Sequence, residues 1–286
     1  MTVNLIVQSP ALDLSLIDQA AALVEANGVQ WISKSAARLL DVSQTEDTAE
    51  LIQGWATEKK ADIAFVNANA KLSDCKILVM DMDSTLINIE CIDEIAAFAG
   101  LKAEVASITE RSMRGEITEF ADSLRLRVGY LEGLDQSVLE RVYDERLELN
   151  PGAETLIRSC QQAGIKTMLV SGGFTFFTNR LKERLNLDAA HANVLETNAQ
   201  GKLTGRVTGP IIDAQGKADL LSDLAKQLEV KPEQIIAIGD GANDLKMLAS
   251  AHYAVAYRAK PVVQAQARFA LNHSPLDAVL NWFDQA

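Results

Sequence analysis

The chain has 286 residues, 48% of them hydrophobic, with a formal net charge of -12. That length holds one large domain and something smaller, because single cores stop growing near ~250–300 residues, and so acidic a surface repels a phosphate backbone, which excludes nucleic acid as a partner. Three cysteines in no close pair (Cys75, Cys91, Cys160) argue for a reducing compartment; with no basic leader at Met1–Pro10 and no apolar run near the ~20 residues of a membrane helix, a cytoplasmic protein without a membrane partner is expected.

The first seventy residues read as a short alternating unit. Val3–Val7 has strand character, and Ser15–Asn27 carries Leu16, Ala20, Leu23 and Val24 at a helical period, with Gly28 as its stop. Trp31–Val42 alternates in part, as a strand does. Asp47–Lys60 puts Leu51, Ile52 and Trp55 on one helical face, and Asp62–Val66 returns to strand. The expected pattern is β-α-β-α-β, with nothing catalytic in it. Asn67–Asp74 is small and polar and is the best linker candidate.

Lys76–Met80 is a compact apolar strand ending on Asp81-Met82-Asp83-Ser84-Thr85. From Cys91 to about Leu149 the period is helical throughout (Ile92–Phe98, Val105–Met113, Phe120–Val128, Val138–Leu147), the mark of a helical insert. The chain then alternates again, with Ala153–Ala163 as helix, Lys166–Val170 as strand, Ser171-Gly172-Gly173 as turn and Phe174–Leu185 as helix. Val194–Gly209 reads as a hairpin, Lys217–Leu228 as helix, and Ile235–Ile238 as a strand running into Gly239-Asp240-Gly241-Ala242-Asn243-Asp244. Tyr253–Ala256 is a further strand and the end of the chain reads as helical.

Strands separated by helices imply a parallel sheet, in which ligands bind outside the carboxyl ends of the strands. Three polar clusters, 81–85, 171–173 and 240–244, fall at such ends. An isolated Asp-x-Asp is ordinarily a turn or helix-cap pair. Asp81 and Asp83 together with Asp240 and Asp244, with Asn243 among them, gather more negative charge than a fold tolerates without a cation, and an all-oxygen set suits Mg²⁺. A metal among carboxylates points to phosphate chemistry, in which one Asp attacks phosphorus and another, two residues on, works as general acid and base. The Ser171–Gly173 turn between strand and helix can offer backbone N–H groups to an anion. Other phosphate routes are missing: there is no P-loop, no cysteine has an arginine six residues on, and His191, His252 and His273 lack metal-ligand spacing.

The segments Asp81-Met82-Asp83-Ser84-Thr85, Ser171, Lys217 and Gly239–Asp244, in that order, resemble the four motifs of the haloacid dehalogenase (HAD) superfamily. Glu90–Ala96, Ser112–Gly115, Ser123–Val128 and Val170–Phe174 narrow the resemblance, over residues 74–270, to its phosphoserine phosphatases. The resemblance implies an α/β fold, a HAD-type Rossmann-like parallel sheet with a helical cap insert, preceded by a small α+β N-terminal domain. The implied division is 1–72 for the N-terminal domain, 73–88 and 150–286 for the catalytic core, and 89–149 for the cap. It makes Asp81 the nucleophile and Asp83 the general acid and base, with Asp81, the Asp83 carbonyl and Asp240 on Mg²⁺ and Asp244 behind them. Ser171, Gly172 and Lys217 would hold phosphate, with Asn243 beside the substrate. Glu90 would take the ammonium and Arg127 the carboxylate of phosphoserine, and Met113 and Phe120 would line the cap near it. The implied reaction is hydrolysis of phosphoserine through an aspartyl-phosphate, the last step of serine biosynthesis, with a related phosphotransferase or phosphatase for another small phospho-amino acid as the alternative. Residues 1–72 lie outside the match. Their pattern weakly resembles an ACT-type sensing module, and a dimerising or packing element is the other expectation, the former regulatory and the latter implying a homodimer.

Overall fold

The elements run, in chain order, β1 (Val3–Gln8), α1 (Leu14–Leu23), β2 (Gly28–Ser33), β3 (Ala36–Leu40), α2 (Glu46–Lys59), β4 (Asp62–Asn67) and β5 (Ile77–Met80). Next come four helices in succession, α3 (Cys91–Phe98), α4 (Lys102–Met113), α5 (Phe120–Gly129) and α6 (Ser137–Glu145). The remainder is α7 (Ala153–Gln162), β6 (Lys166–Phe174), α8 (Thr175–Leu185), β7 (Ala189–Thr197), β8 (Leu203–Thr208), α9 (Ala214–Gln227), β9 (Ile235–Gly239), α10 (Leu245–Leu248), β10 (Tyr253–Tyr257), α11 (Pro261–Gln264) and β11 (Phe269–Leu271). The computed structural model describes residues 2–113 and 116–284. Two units divide the chain, Met1–Leu78 with Pro151–Ile165 and Val230–Ala286, and Val79–Asn150 with Lys166–Glu229.

In the first unit, β1 to β4 form an antiparallel sheet of order β2-β3-β1-β4. Alternation sends Leu5, Val7, Ala37 and Leu39 to one face, where Ile17 and Ala20 of α1 and Ile52, Trp55 and Ala56 of α2 complete a core. Each leucine, isoleucine or valine so buried contributes about 1.5–3 kcal/mol before the entropy of ordering is set against it. The Asp13 carboxylate caps α1 and the Thr45 hydroxyl caps α2. The strand expected over 31–42 is instead the hairpin β2–β3, broken at Ser33-Lys34-Ser35, where the Ser35 N–H turns back to the Ser33 hydroxyl. The plan is therefore β-α-β-β-α-β with ferredoxin-like strand order. Two short polar side chains close a turn that a period-2 reading passes over.

The other face of this sheet is buried too. Arg38 donates to the Phe283 carbonyl at 2.8 Å, reaches the Asn281 carbonyl and pairs with Asp284. Asp62 accepts from the N–H groups of Asn272 (2.7 Å), His273 (3.0 Å) and Ser274 (2.7 Å). The expected linker 67–74 is pinned as well, since the Asp284 N–H donates to the Ala70 carbonyl at 2.8 Å and Lys71 bridges to Asp284. Beside this lie the parallel strands β9, β10 and β11. The end of the chain is accordingly not all helix. β11 adds a strand, and a 3-10 turn at Leu276–Trp282 buries Trp282.

In the second unit β6 and β7 are parallel and β7 and β8 antiparallel, with β5 passing from the first unit to the second. The insert α3–α6 is helical as expected. Its two ends run side by side: the Asn88 N–H donates to the Glu148 carbonyl, the Glu148 N–H donates to the Asn88 side-chain oxygen, and the buried Asn150 amide donates to the carbonyls of Thr85 (2.9 Å) and Ile87 (3.0 Å). The loop after α5 is stitched to the β7–β8 hairpin, with Gly133 N–H on the Leu203 carbonyl and Gln136 N–H on the Gly201 carbonyl. Each polar cluster singled out in the sequence stands at the carboxyl end of its own strand, 81–85 after β5, 171–173 at the end of β6 and 240–244 after β9.

Candidate active site

β5 is apolar and fully buried because it is covered on both faces, and it delivers Asp81 as the first residue beyond its last apolar position. Asp81 is buried and its Oδ1 accepts from Lys217 Nζ at 2.6 Å. Lys217 lies in the first turn of α9, behind the Asp213 cap. A cation is disfavoured at that end of a helix, and a buried ammonium is costlier still. The side chain is nevertheless 0% exposed. A lysine held against both preferences is held for its charge, which argues against a solvated surface residue.

After Asp81 the chain makes a tight turn in which Ser84 is left-handed (φ 56). Such a conformation costs a non-glycine residue about 1–2 kcal/mol and persists only where the surroundings enforce it. Here it aims the Ser84 hydroxyl at Glu90, donating to Oε1 at 2.7 Å, while the Ser84 N–H donates to the Ile89 carbonyl. Asp83 turns inward. Its Oδ1 accepts the Cys91 N–H at 2.9 Å, at the start of α3, and its Oδ2 lies 3.5 Å from the Ser171 hydroxyl. Burial, then the charge of Glu90, push the Asp83 carboxyl up to about 7, against the pull of the Cys91 N–H and Lys217. A carboxyl that changes protonation near neutrality suits a general acid and base. Burial raises the Cys91 thiol well above its ordinary value, with Asp83 next in effect, so that it stays an inert thiol.

Ser171–Gly173 leaves the β6–β7 ladder: Val170 pairs with His191 and Phe174 with Asn193, so three residues on β6 face one on β7. The Ser171 hydroxyl accepts the Gly173 N–H at 2.8 Å. Gly173 has to be glycine, because a Cβ there would lie 2.6 Å from Asp83 Oδ2. Gly172 is pressed likewise, since a Cβ would meet the Phe120 ring at 2.8 Å, which places Phe120 over the 171–173 turn. Arg127, on α5, donates to the Ser123 carbonyl from Nε. Burial pulls its pKa down, opposed by Asp93, Glu90 and Asp83 in turn.

The second unit thus brings together Asp81, Asp83, Glu90, Phe120, Arg127, Ser171, Gly172 and Lys217. Asp240, Asn243 and Asp244 cluster in the first unit after β9. The buried Asp244 carboxylate accepts the N–H groups of Asp240 (3.1 Å) and Gly241 (2.9 Å), which fixes the loop that presents Asp240. The Met113 side chain, and Arg114 and Gly115 of the same motif, lie outside the described residues. Sequence reasoning missed three residues. Gly173 and Ser84 carry no signal of their own beyond the motifs that contain them. Asp93, facing Arg127, stands three residues after Glu90 on one helix face, a spacing that carries the signal.

A family model described as haloacid dehalogenase-like hydrolase matches residues 78–249, and a second, described only as a domain of unknown function, matches residues 5–51. A relative from Polaromonas sp. (strain JS666), named phosphoserine phosphatase, is 53% identical over 214 residues, 73% of this chain and 90% of the relative. The crystal structure of a probable phosphoserine phosphatase from Vibrio cholerae, unliganded, superposes with a TM-score of 0.83 at 38% identity, covering 98% of this chain and 85% of that one. A structure described as a phospho-aspartyl intermediate analogue of phosphoserine phosphatase superposes at 0.68 with 38% identity, covering 73% of this chain and 99% of that one. The chain belongs to the haloacid dehalogenase-like hydrolases and, among them, to the phosphoserine phosphatase family.

Proposed function

We propose that the protein hydrolyses O-phospho-L-serine to L-serine and phosphate through a phosphorylated aspartate, with Mg²⁺ as its cofactor. The observation that carries the reading is the pairing of a buried Lys217–Asp81 contact with an acid–base carboxyl, Asp83, whose neighbours are one acidic and one basic cap residue, Glu90 and Arg127. In this reading Asp81 attacks phosphorus while Asp83 gives its proton to the departing serine oxygen. Asp83 then takes a proton from the water that opens the aspartyl-phosphate, releasing phosphate. Lys217 and the Ser171–Gly172 turn hold the phosphoryl oxygens. Glu90, kept in place by the Ser84 hydroxyl, takes the substrate ammonium, and Arg127 takes its carboxylate, a planar match for a guanidinium. Asn243 stands by the substrate, with Phe120 as an apolar cap contact.

The donor set suits a hard cation. In this reading Asp81 and Asp240 give carboxylate oxygens and Asp83 a backbone carbonyl, with no sulfur or imidazole among them. Asp244 already accepts two N–H groups, so its part is to orient Asp240, leaving Asp81, Asp83 and Asp240 as the ligands. Bound Mg²⁺ would neutralise phosphoryl charge so that a carboxylate can approach. No helix among the described residues is long and apolar enough to cross a membrane.

The test is phosphate release from a panel of phospho-amino acids, with and without homoserine. Phosphoserine should turn over fastest, homoserine should not divert the phosphoryl group, and chelation should abolish release until Mg²⁺ is restored. Phosphohomoserine as the main product would make the protein a transferase, and turnover in excess chelator would remove the metal from the reading.

A further inference from the structure

The two-residue excess that throws the buried Ser171 and the half-buried Gly172 and Gly173 out of the β6–β7 ladder removes their backbone partners. Buried carbonyls and N–H groups are almost always paired, so something must replace the ladder. The Gly173 N–H finds the Ser171 hydroxyl. The Gly172 carbonyl finds the side chain of Asn193 on β7, whose Nδ2 donates to it at 2.8 Å. The same amide is used at its other end, where Oδ1 accepts the Ile212 N–H at 2.8 Å. Both partners have fixed roles, a carbonyl that only accepts and an N–H that only donates, so the orientation of the amide is set by chemistry.

Ile212 immediately precedes Asp213, the N-cap of α9. The Asp213 carboxylate accepts the Gly216 N–H at 2.9 Å and its carbonyl accepts the Lys217 N–H at 2.9 Å. One side chain therefore spans the glycine turn and the start of the helix that carries the lysine. Asn193 is 1% exposed on a strand where an apolar residue would pack at no polar cost. A leucine of similar size would leave both the Gly172 carbonyl and the Ile212 N–H without a partner, and a serine could not span them. Few side chains other than an amide combine donor and acceptor at this separation.

We infer that Asn193 is a positioning residue that holds the two phosphate-gripping elements, the Ser171–Gly173 turn and the Lys217 helix, at one spacing. It touches no substrate. Its effect passes through the orientation of the Gly172 peptide and the seat of α9. The inference rests on the phosphate role given above to Ser171, Gly172 and Lys217. It assigns Asn193 to affinity for the phosphoryl group, not to choice of the amino acid.

The experiment uses the full-length, Mg²⁺-loaded enzyme, with inorganic phosphate as competitive inhibitor of p-nitrophenyl phosphate hydrolysis. In Asn193→Ala the phosphate Ki should rise on the order of tenfold, the worth of about one lost hydrogen bond. KM should rise by the same factor for p-nitrophenyl phosphate and for phosphoserine, leaving their ratio unchanged. Asn193→Asp keeps the size and the acceptor for Ile212 but loses the donor to Gly172; it should weaken phosphate too, and it decides the matter if the alanine variant does not fold. Asn198→Ala is the control for mere destabilisation. Asn198 is exposed at the far tip of the same hairpin, where its Oδ1 accepts from Gln200 and Lys202, so its loss should lower Tm and leave the Ki alone. Folded Asn193 variants with an unchanged phosphate Ki would overturn the inference. Ser171→Ala separates the two failures. If it weakens phosphate while the Asn193 variants do not, only the positioning role falls; if it too leaves Ki unchanged, the phosphate turn falls and the positioning role with it.

Discussion

Gly173 shows how tightly the acid–base carboxyl is held. Its backbone passes so close to Asp83 that a methyl group would sit 2.6 Å from Oδ2 and 3.0 Å from both Met82 Cε and the Ser171 hydroxyl. Met82 is buried and cannot retreat, so the strain falls on the Asp83 carboxyl, which is held only at its other oxygen by the Cys91 N–H. Gly173→Ala should therefore move the carboxyl rather than unfold the chain. A displacement near 1 Å at a reacting group costs roughly a hundredfold in rate. We expect kcat to fall by about that factor, with the thermal midpoint little changed and phosphate still bound. A kcat equal to that of the unaltered protein would show that Asp83 does not act from the position it occupies here.

At the scale of elements, α3 and α5 bring Glu90, Asp93 and Arg127 into one electrostatic neighbourhood with Asp83. Arg127→Ala should raise KM for phosphoserine by about 1.5–3 kcal/mol, the range for a hydrogen bond to a charged group. An aryl phosphate without a carboxylate should be hardly affected, and steady-state kinetics on both substrates reads the difference. Equal losses would mean that Arg127 only packs the insert. The helices of this insert were legible because four uninterrupted runs at a 3.6 period have few other solutions, and β5 and β9 because short apolar runs end on acidic loops. The β2–β3 hairpin and β11 were not. The first turns on two serines closing a tight turn at Lys34-Ser35, and the second is three residues long, too short for a period to declare itself. The site was legible where charge clusters, at Asp81, Asp83 and Asp240. It was not legible where a residue acts through its backbone or through another side chain, as Gly173, Ser84 and Asn193 do.

For the whole molecule the question is what makes residues 1–72 part of the chain's stability, since their core is complete in itself and carries no candidate catalytic group. The structure answers with buried polar contacts. Asp62, 3% exposed, takes three consecutive N–H groups of 272–274 on one carboxylate, and Arg38 takes two carbonyls and a carboxylate of 281–284. Hydrogen bonds to a charged group are worth about 1.5–3 kcal/mol, and an N–H left buried without a partner costs about 1–3 kcal/mol. Asp62→Ala should thus destabilise by on the order of 3 kcal/mol, since the 272–274 loop will relax in part toward water. Asp62→Asn keeps one acceptor oxygen and should lose less. Glu58, which meets Lys59 in water four residues earlier, is the contrast: solvent screens so exposed a pair, and Glu58→Ala should be silent. Urea unfolding followed by circular dichroism reads all three, as a lower midpoint at unchanged slope for Asp62→Ala, with turnover per folded molecule unaltered. An Asp62→Ala protein as stable as the parent would mean that the N-terminal sheet is held to the 269–284 segment by its apolar contacts alone.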